Sequence, residues 1–332
     1  MKHIITLILV TILFQSNAQV AVALHSSGGT QIFNSANPFL DAYAAAVDGD
    51  TIYLPGGLFT NPASIEKRLT IYGAGIHVDS TQATLKTRFN SSILFDTGSD
   101  SSHIEGVFIN GTLGISTNTK VDNLVIKRNY FNSFTASGTN TANKSDNIQL
   151  IENVVAGNLN FQHISNGKIF NNIIRSISNL ETGWVANNFF YNQAGTYPLT
   201  SVNYSLIENN YISTGYGFNS VHYCSFINNI FNNDPTGDTW NTYTGNYTSL
   251  SEATVIVNGG TAIAFETSNF HLIDPATYIG TTGDQVSIYG GYYPAKEGFV
   301  PVNPHIRTVN IAPSTTPAGD LNITIEVGAQ DN

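Results

Sequence analysis

The chain runs to 332 residues, only 11% of them charged, and its 13 basic against 23 acidic side chains give a formal net charge of −10. A soluble protein ordinarily carries about 25% charged residues, so neutral polar groups must coat this surface; that suits extracellular contact with neutral or weakly charged polymers, although polar loops alone would give the same composition. The acidic balance argues against a nucleic-acid partner, and a single cysteine, Cys224, excludes an internal disulfide framework.

Met1, Lys2 and His3 precede an apolar run over residues 4 to 14, followed by the small residues Ser16 and Ala18. Eleven helical residues would span about 17 Å against a hydrocarbon core of about 30 Å. Residues 1–18 therefore read as a secretory signal peptide, not an anchor. The mature chain is expected to start at Gln19, to be secreted or held at the cell surface, and to contain no membrane span. Asn37-Pro38-Phe39-Leu40, with Tyr43, Ala44 and Val47, predicts a short helix with Asn37 as its cap and Pro38 in its first turn. Next come Gly49-Asp-Thr-Ile-Tyr-Leu-Pro-Gly-Gly57 and Ile65-Glu-Lys-Arg-Leu-Thr-Ile-Tyr-Gly73-Ala-Gly75. Residues 76 to 123 are less regular and leave room for a site, although Ile104-Glu-Gly-Val-Phe-Ile109 reads as one more repeat of the kind that follows.

Between residues 124 and 231 one phrase recurs six times: an apolar residue, two variable positions, an asparagine and two apolar residues. It begins Ile126-Lys-Arg-Asn129-Tyr-Phe131 and recurs around Asn153, Asn172, Asn188, Asn210 and Asn229, at spacings of 24, 19, 16, 22 and 19 residues. A loose period near twenty points to a solenoid. Counting from the asparagine, positions minus three and plus two are apolar in all six repeats, and minus five (Leu124, Ile148, Gly167, Gly183, Ser205, Cys224) alternates with minus three. That period of two is a strand's. The expectation is an all-β, right-handed parallel β-helix in which equivalent asparagines lie about 4.8 Å apart and bond up the stack. Aspartates at that spacing would repel. Position minus one repeats the amide in Asn171, Asn187, Asn209 and Asn228, with Arg128 and Glu152 in the first two repeats. Cys224 falls on an inward position and reads as a small buried hydrophobe.

Beyond Tyr247 the phrase fades. Residues 308 to 311 and 321 to 327, joined by a Pro- and Gly-containing turn, predict a terminal hairpin. The domain reading is a parallel β-helix with its N-terminal capping helix over 19–275 and a C-terminal β cap over 276–332.

The capping helix, the turn at Gly73-Ala74-Gly75 and the asparagine-centred repeats together resemble the pectate-lyase-like (pectin lyase-like) family of right-handed parallel β-helices, over roughly residues 37 to 250. The tail resembles the endings of secreted bacterial β-helix proteins of unassigned role. The resemblance implies the fold; for activity it implies a cation, often calcium held by carboxylates, and a basic Arg or Lys that takes a proton from an acidic sugar. Candidates for such chemistry are Asp122, Asp146, Glu152, Lys168 and Arg175. Asp122 and Asp146 hold the same place in adjacent repeats and could share one calcium ion; alternatively Asp122-Asn123 and Asp146-Asn147 are turns and the rest are solvated charges. A family lyase carries a denser carboxylate cluster than this.

A binding surface is the better-supported expectation. Lys168 should lie beside Trp184 and Arg175 beside Tyr191, each pair one strand spacing apart, and an aromatic ring next to a cation suits a sugar bearing acidic groups. Tyr197, Tyr204, Tyr211, Tyr216 and Tyr223 enrich the same repeats. Ordinary cross-strand packing is the alternative. The function expected is non-catalytic carbohydrate binding, adhesion or structure, with an extracellular polysaccharide or cell-surface component as partner and no cofactor. The runner-up is a polysaccharide lyase or glycoside hydrolase acting on an acidic polysaccharide, with Ca²⁺ as possible cofactor.

Overall fold

The structure is a computed structural model. It describes residues 20 to 329 apart from 79–80, 140–142, 192–194, 214–216, 236–239, 258 and 260–263; the leader reading, the start at Gln19 and Tyr216 lie outside the described residues.

The chain winds into a parallel β-solenoid of about nine turns. Among the described residues, twelve strands form one long sheet and eleven a second. Each asparagine-centred coil gives the first sheet its positions minus four to minus two, as in Lys168–Phe170 paired in register with Trp184–Ala186. It gives the second sheet the residues just after the asparagine, as in Tyr130–Ala136 beside Val154–Asn160. A short third column joins Ser145–Asp146 to Ile164–Ser165 and continues as single bridges through Glu181, Asn203 and His222. At the N terminus, helix α1 (Pro38–Ala45) buries Phe39 and Ala42 in the open end of the core. The ring edge of Phe39 meets Phe89 at 5.4 Å. Asn37 occupies the cap position, but its side chain makes no capping hydrogen bond.

Two corners recur in all six asparagine-centred coils with a left-handed residue. At position minus one, φ is 54° for Arg128, 55° for Glu152 and Asn171, 57° for Asn187 and Asn209, and 51° for Asn228. Asparagine tolerates this region better than other side chains with a Cβ. The minus-one asparagines are thus favoured by the backbone rather than by amide stacking. The second corner is position minus six, where Asn123, Asn147, Asn166, Thr182, Tyr204 and Tyr223 all have φ between 51° and 59°. Asn123 and Asn147 are therefore corner residues, and Asp146 ends the strand that runs into the corner.

The asparagine column is fully buried. From Asn153 on, the Oδ1 of each residue accepts both the backbone N–H and the Nδ2–H of the asparagine one coil earlier, while that of Asn129 accepts the Val107 N–H at 3.0 Å; for Asn188, the donors are those of Asn172, both at 2.9 Å. Each Nδ2 also donates to the main chain of the preceding coil, as from Asn188 to the Ile169 carbonyl at 2.8 Å. A seventh rung, Asn246, accepts from Asn229 at 2.8 Å. Its coil escaped the phrase because Thr248 stands where an apolar residue is usual. Inside, Ile126, Leu150, Ile169, Val185, Ile207 and Phe226 face Phe131, Val155, Ile174, Phe190, Ile212 and Phe231, all fully buried. At roughly 1.5 to 3 kcal/mol gross for each such side chain, this core accounts for a fold without disulfides. Cys224 is buried beside it. Gly183 is small for a reason: a Cβ there would stand 2.6 Å from Leu180.

The plus-one residue of each phrase points outward, yet Val154, Ile173, Phe189, Tyr211 and Ile230 are buried. A second apolar core, built with Val255, Ile256, Phe270, Leu272, Val286 and Ile288, packs along this row. Past the last coil the chain doubles back along the minus-one corner. The Asn209 Nδ2 donates to Thr281 Oγ1 at 2.8 Å, and that of Asn171 donates to the carbonyls of Ile288 at 2.9 Å and Gly290 at 2.8 Å. The Val302 N–H then reaches Glu105 at 2.7 Å. This strap delivers the predicted hairpin, His305–Ile311 with Ile323–Gly328, to the early coils, where Ala83 N–H donates to Arg307 carbonyl at 2.8 Å.

Candidate functional site

The plus-one row is covered only in part. Leu58, Arg88, Phe108, Tyr130, Val154 and Ile173 are partners in successive strand pairs of the second sheet, one residue per coil. They form a straight floor of five strand spacings, about 24 Å. Phe265 and Glu266 of the returning tail line the groove together with Val78, Leu85 and Lys86, and it encloses about 1070 Å³. Farther along the same row Phe270 packs edge-on against Phe189 at 5.2 Å and ends the opening.

The floor is apolar, with cations at one end. Phe108 and Tyr130 stack with ring centroids 4.3 Å apart and planes 1° from parallel, as neighbouring strands dictate. The ammonium of Lys86 lies 5.2 Å and the guanidinium of Arg88 5.6 Å from the Phe108 centroid. Lys86 also pairs with Glu266. Burial, then the charge of Arg88, holds the Lys86 ammonium below its usual pKa. Two cations and one carboxylate thus leave local positive charge on an acidic protein. Tyr191 closes the side of the groove: its hydroxyl donates to the carbonyl of Ala156 at 2.7 Å, and burial pushes it up to about 12.

The two pairs expected to bind sugar are each side by side, but on different sheets. Lys168 neighbours Trp184 on the first sheet. The Trp184 indole N–H donates to Glu208 at 2.8 Å and its ring packs edge-on against Phe170 at 5.0 Å. Tyr191 follows the second sheet, where Arg175 is held by Thr196 Oγ1 at 2.6 Å. Of the five candidates for catalysis, Asp146 and Lys168 share a polar cleft of about 490 Å³ with Asn166 and Trp184. Glu152 is buried in an ion pair with Arg128. Asp122 Oδ1 accepts the Asp146 N–H at 2.8 Å, while its Oδ2 pairs with Lys120 at 3.0 Å. Asp146 in turn accepts from Asn166 at 2.7 Å. With one carboxylate neutralised by lysine and both serving the turn ladder, this donor set does not fit a calcium ion. Among the described residues no group of three His, Cys, Asp or Glu stands close enough to hold a metal.

Lys86, Arg88 and Phe265 were not singled out by the sequence. The first two fall in the irregular coils at 76 to 123, and the third reaches the groove only through the fold-back of the tail. Phe108 and Tyr130 carried a signal, an outward apolar position needing a cover. Searches of protein families, curated proteins and solved structures found nothing that matches this chain.

Proposed function

We propose that this is a secreted, non-catalytic carbohydrate-binding β-solenoid that holds an acidic polysaccharide in the lateral groove. The observation that carries the reading is the row from Leu58 to Ile173: a linear floor with cations at one end. Stacked rings present edges that carry partial positive charge, and Lys86 and Arg88 add full charges where a sugar carboxylate or sulfate would lie. The apolar floor suits the C–H faces of the sugar rings. The leader-like residues 1–18 support secretion, and the resemblance to pectate-lyase-like β-helices supports an acidic polymer as ligand. Glu152 is tied to Arg128, Asp122 to Lys120 and Arg175 to Thr196, which leaves Asp146 and Lys168 of the five in one cleft and favours binding over cleavage.

Size-exclusion chromatography of the protein with polygalacturonate, alginate and hyaluronate tests this. Co-elution with at least one intact polymer is expected, weakening with salt. Arg88 is exposed, so Arg88→Glu should fold normally and lose roughly tenfold or more in affinity, the worth of one charge-assisted hydrogen bond. Unchanged affinity in that variant would place the ligand elsewhere, and a shortened polymer would make the protein an enzyme.

A further inference from the structure

We infer that the minus-six corner carries a second carbohydrate site, for a neutral linear polysaccharide, built from Tyr204, Tyr223 and Trp240 where they adjoin the cleft of Asn166, Lys168 and Trp184. The inference does not depend on the groove. Three consecutive coils place an aromatic ring at the same corner, and each ring is more than half exposed: Tyr204 58%, Tyr223 51% and Trp240 55%. The Tyr204 and Tyr223 rings stack 5.0 Å apart with planes 9° from parallel, and Trp240 meets Tyr223 edge-on at 5.6 Å. Their mutual contact fixes their orientation before any ligand arrives, which lowers the entropy lost on binding.

The backbone argues that these rings are not there for the fold. Tyr204 has φ 51° and Tyr223 57°, a region that disfavours bulky side chains. Asn123, Asn147 and Asn166 fill the same place in earlier coils with the residue type that the turn prefers.

The surroundings select the ligand class. Thr182 holds the corner position one coil before Tyr204 and lines the polar cleft, so the aromatic row leads into it along the solenoid axis. There Asn166, Lys168 and the carboxylate of Asp146 offer donors and acceptors to sugar hydroxyls. Glu181 beside Thr182 pairs with Lys144 at 2.9 Å. With Glu181 paired to Lys144, and Asp146 and Lys168 lining one cleft, carboxylates balance cations here and no excess of positive charge recruits an acidic polymer, in contrast with the groove. Rings for the C–H faces and amides for the hydroxyls, repeating once per coil, match an uncharged glycan lying along the axis.

Affinity electrophoresis through gels containing hydroxyethyl cellulose, galactomannan, laminarin or starch tests the proposal. At least one polymer should retard the protein. Tyr204→Asn/Tyr223→Asn installs the residue found in the earlier coils and should leave Tm unchanged or raised while weakening retardation roughly tenfold, the combined worth of two ring contacts. Trp240→Ala should weaken it as well, whereas Arg88→Glu should not. Passage of the wild-type protein through all four gels without retardation would overturn the proposal. So would retardation that survives the double substitution, or a lowered Tm in that variant, which would mark the rings as packing.

Discussion

Arg128→Met is expected to lower stability by about 3–5 kcal/mol at neutral pH, the cost of leaving buried partners without their counter-charge. Arg128 is only 1% exposed, and its guanidinium lies between two buried carboxylates. Nη1 donates to Glu105 at 2.9 Å, and Nε donates to Glu152. Burial alone would raise the Glu105 carboxyl; the His103 ring nitrogen at 3.1 Å and a hydrogen bond from the Val302 N–H, together with the Arg128 charge, more than offset it and hold the group below the usual carboxylate range. In the wild type this ionised carboxyl adds stability above its unfolded-state pKa, and that stability is lost as pH falls through the depressed folded value. In the variant Glu105 keeps its His103 and Val302 contacts but loses the Arg128 charge, and Glu152 loses its counter-charge, so the deficit relative to wild type should be largest at pH 7 and shrink below about pH 4 as carboxyls are protonated. Urea denaturation at both pH values reads this out. Glu105→Gln/Arg128→Met/Glu152→Gln should recover most of the loss, because a neutral set carries no desolvated charge. The wild-type network ties the strap, through Val302, to the same coils that carry the groove floor.

Asn188→Asp should also cost about 3–5 kcal/mol at pH 7, through a buried charge among acceptors. The asparagine Nδ2 donates to the Ile169 carbonyl at 2.8 Å, the Ala186 carbonyl at 3.0 Å and Asn210 Oδ1 at 3.0 Å. A carboxylate could still accept from Asn172, but it would turn an acceptor toward those three oxygens. Its folded pKa would be raised, so stability is lost as pH rises above about 4, the unfolded value of an aspartate. Chemical denaturation at pH 3.5 and pH 7 checks the slope. A variant within about 1 kcal/mol of wild type at pH 7 would mean that the ladder contributes no more than a surface amide.

The solenoid was legible because its two inward columns repeat. Ile126 to Phe226 at minus three and Phe131 to Phe231 at plus two announce one apolar interior, and Asn129 to Asn229 announce the corner. What the phrase could not convey was long-range. Glu152 reads as a candidate for chemistry in the sequence, but the strap that buries its neighbourhood comes from residues some 150 positions later. The plus-one residues, from Tyr130 to Ile230, were plainly apolar. Which of them would be sealed by Phe270 and Ile288 and which left open depends on the route of the tail. Lys86 and Arg88 sit in coils with no phrase to align, so their arrival above Phe108 had no signal in spacing. Lys168 with Trp184 and Arg175 with Tyr191 are neighbours, as strand spacing requires. The register also shows that each pair belongs to a different face.

The groove's occupancy is tested most directly by the crystal structure of the protein with a tetragalacturonate. The predicted result is sugar lying along Arg88, Phe108, Tyr130 and Val154, with a carboxylate at Arg88 or Lys86. A clearly bound tetrasaccharide anywhere else on the surface, with the groove empty, would contradict it.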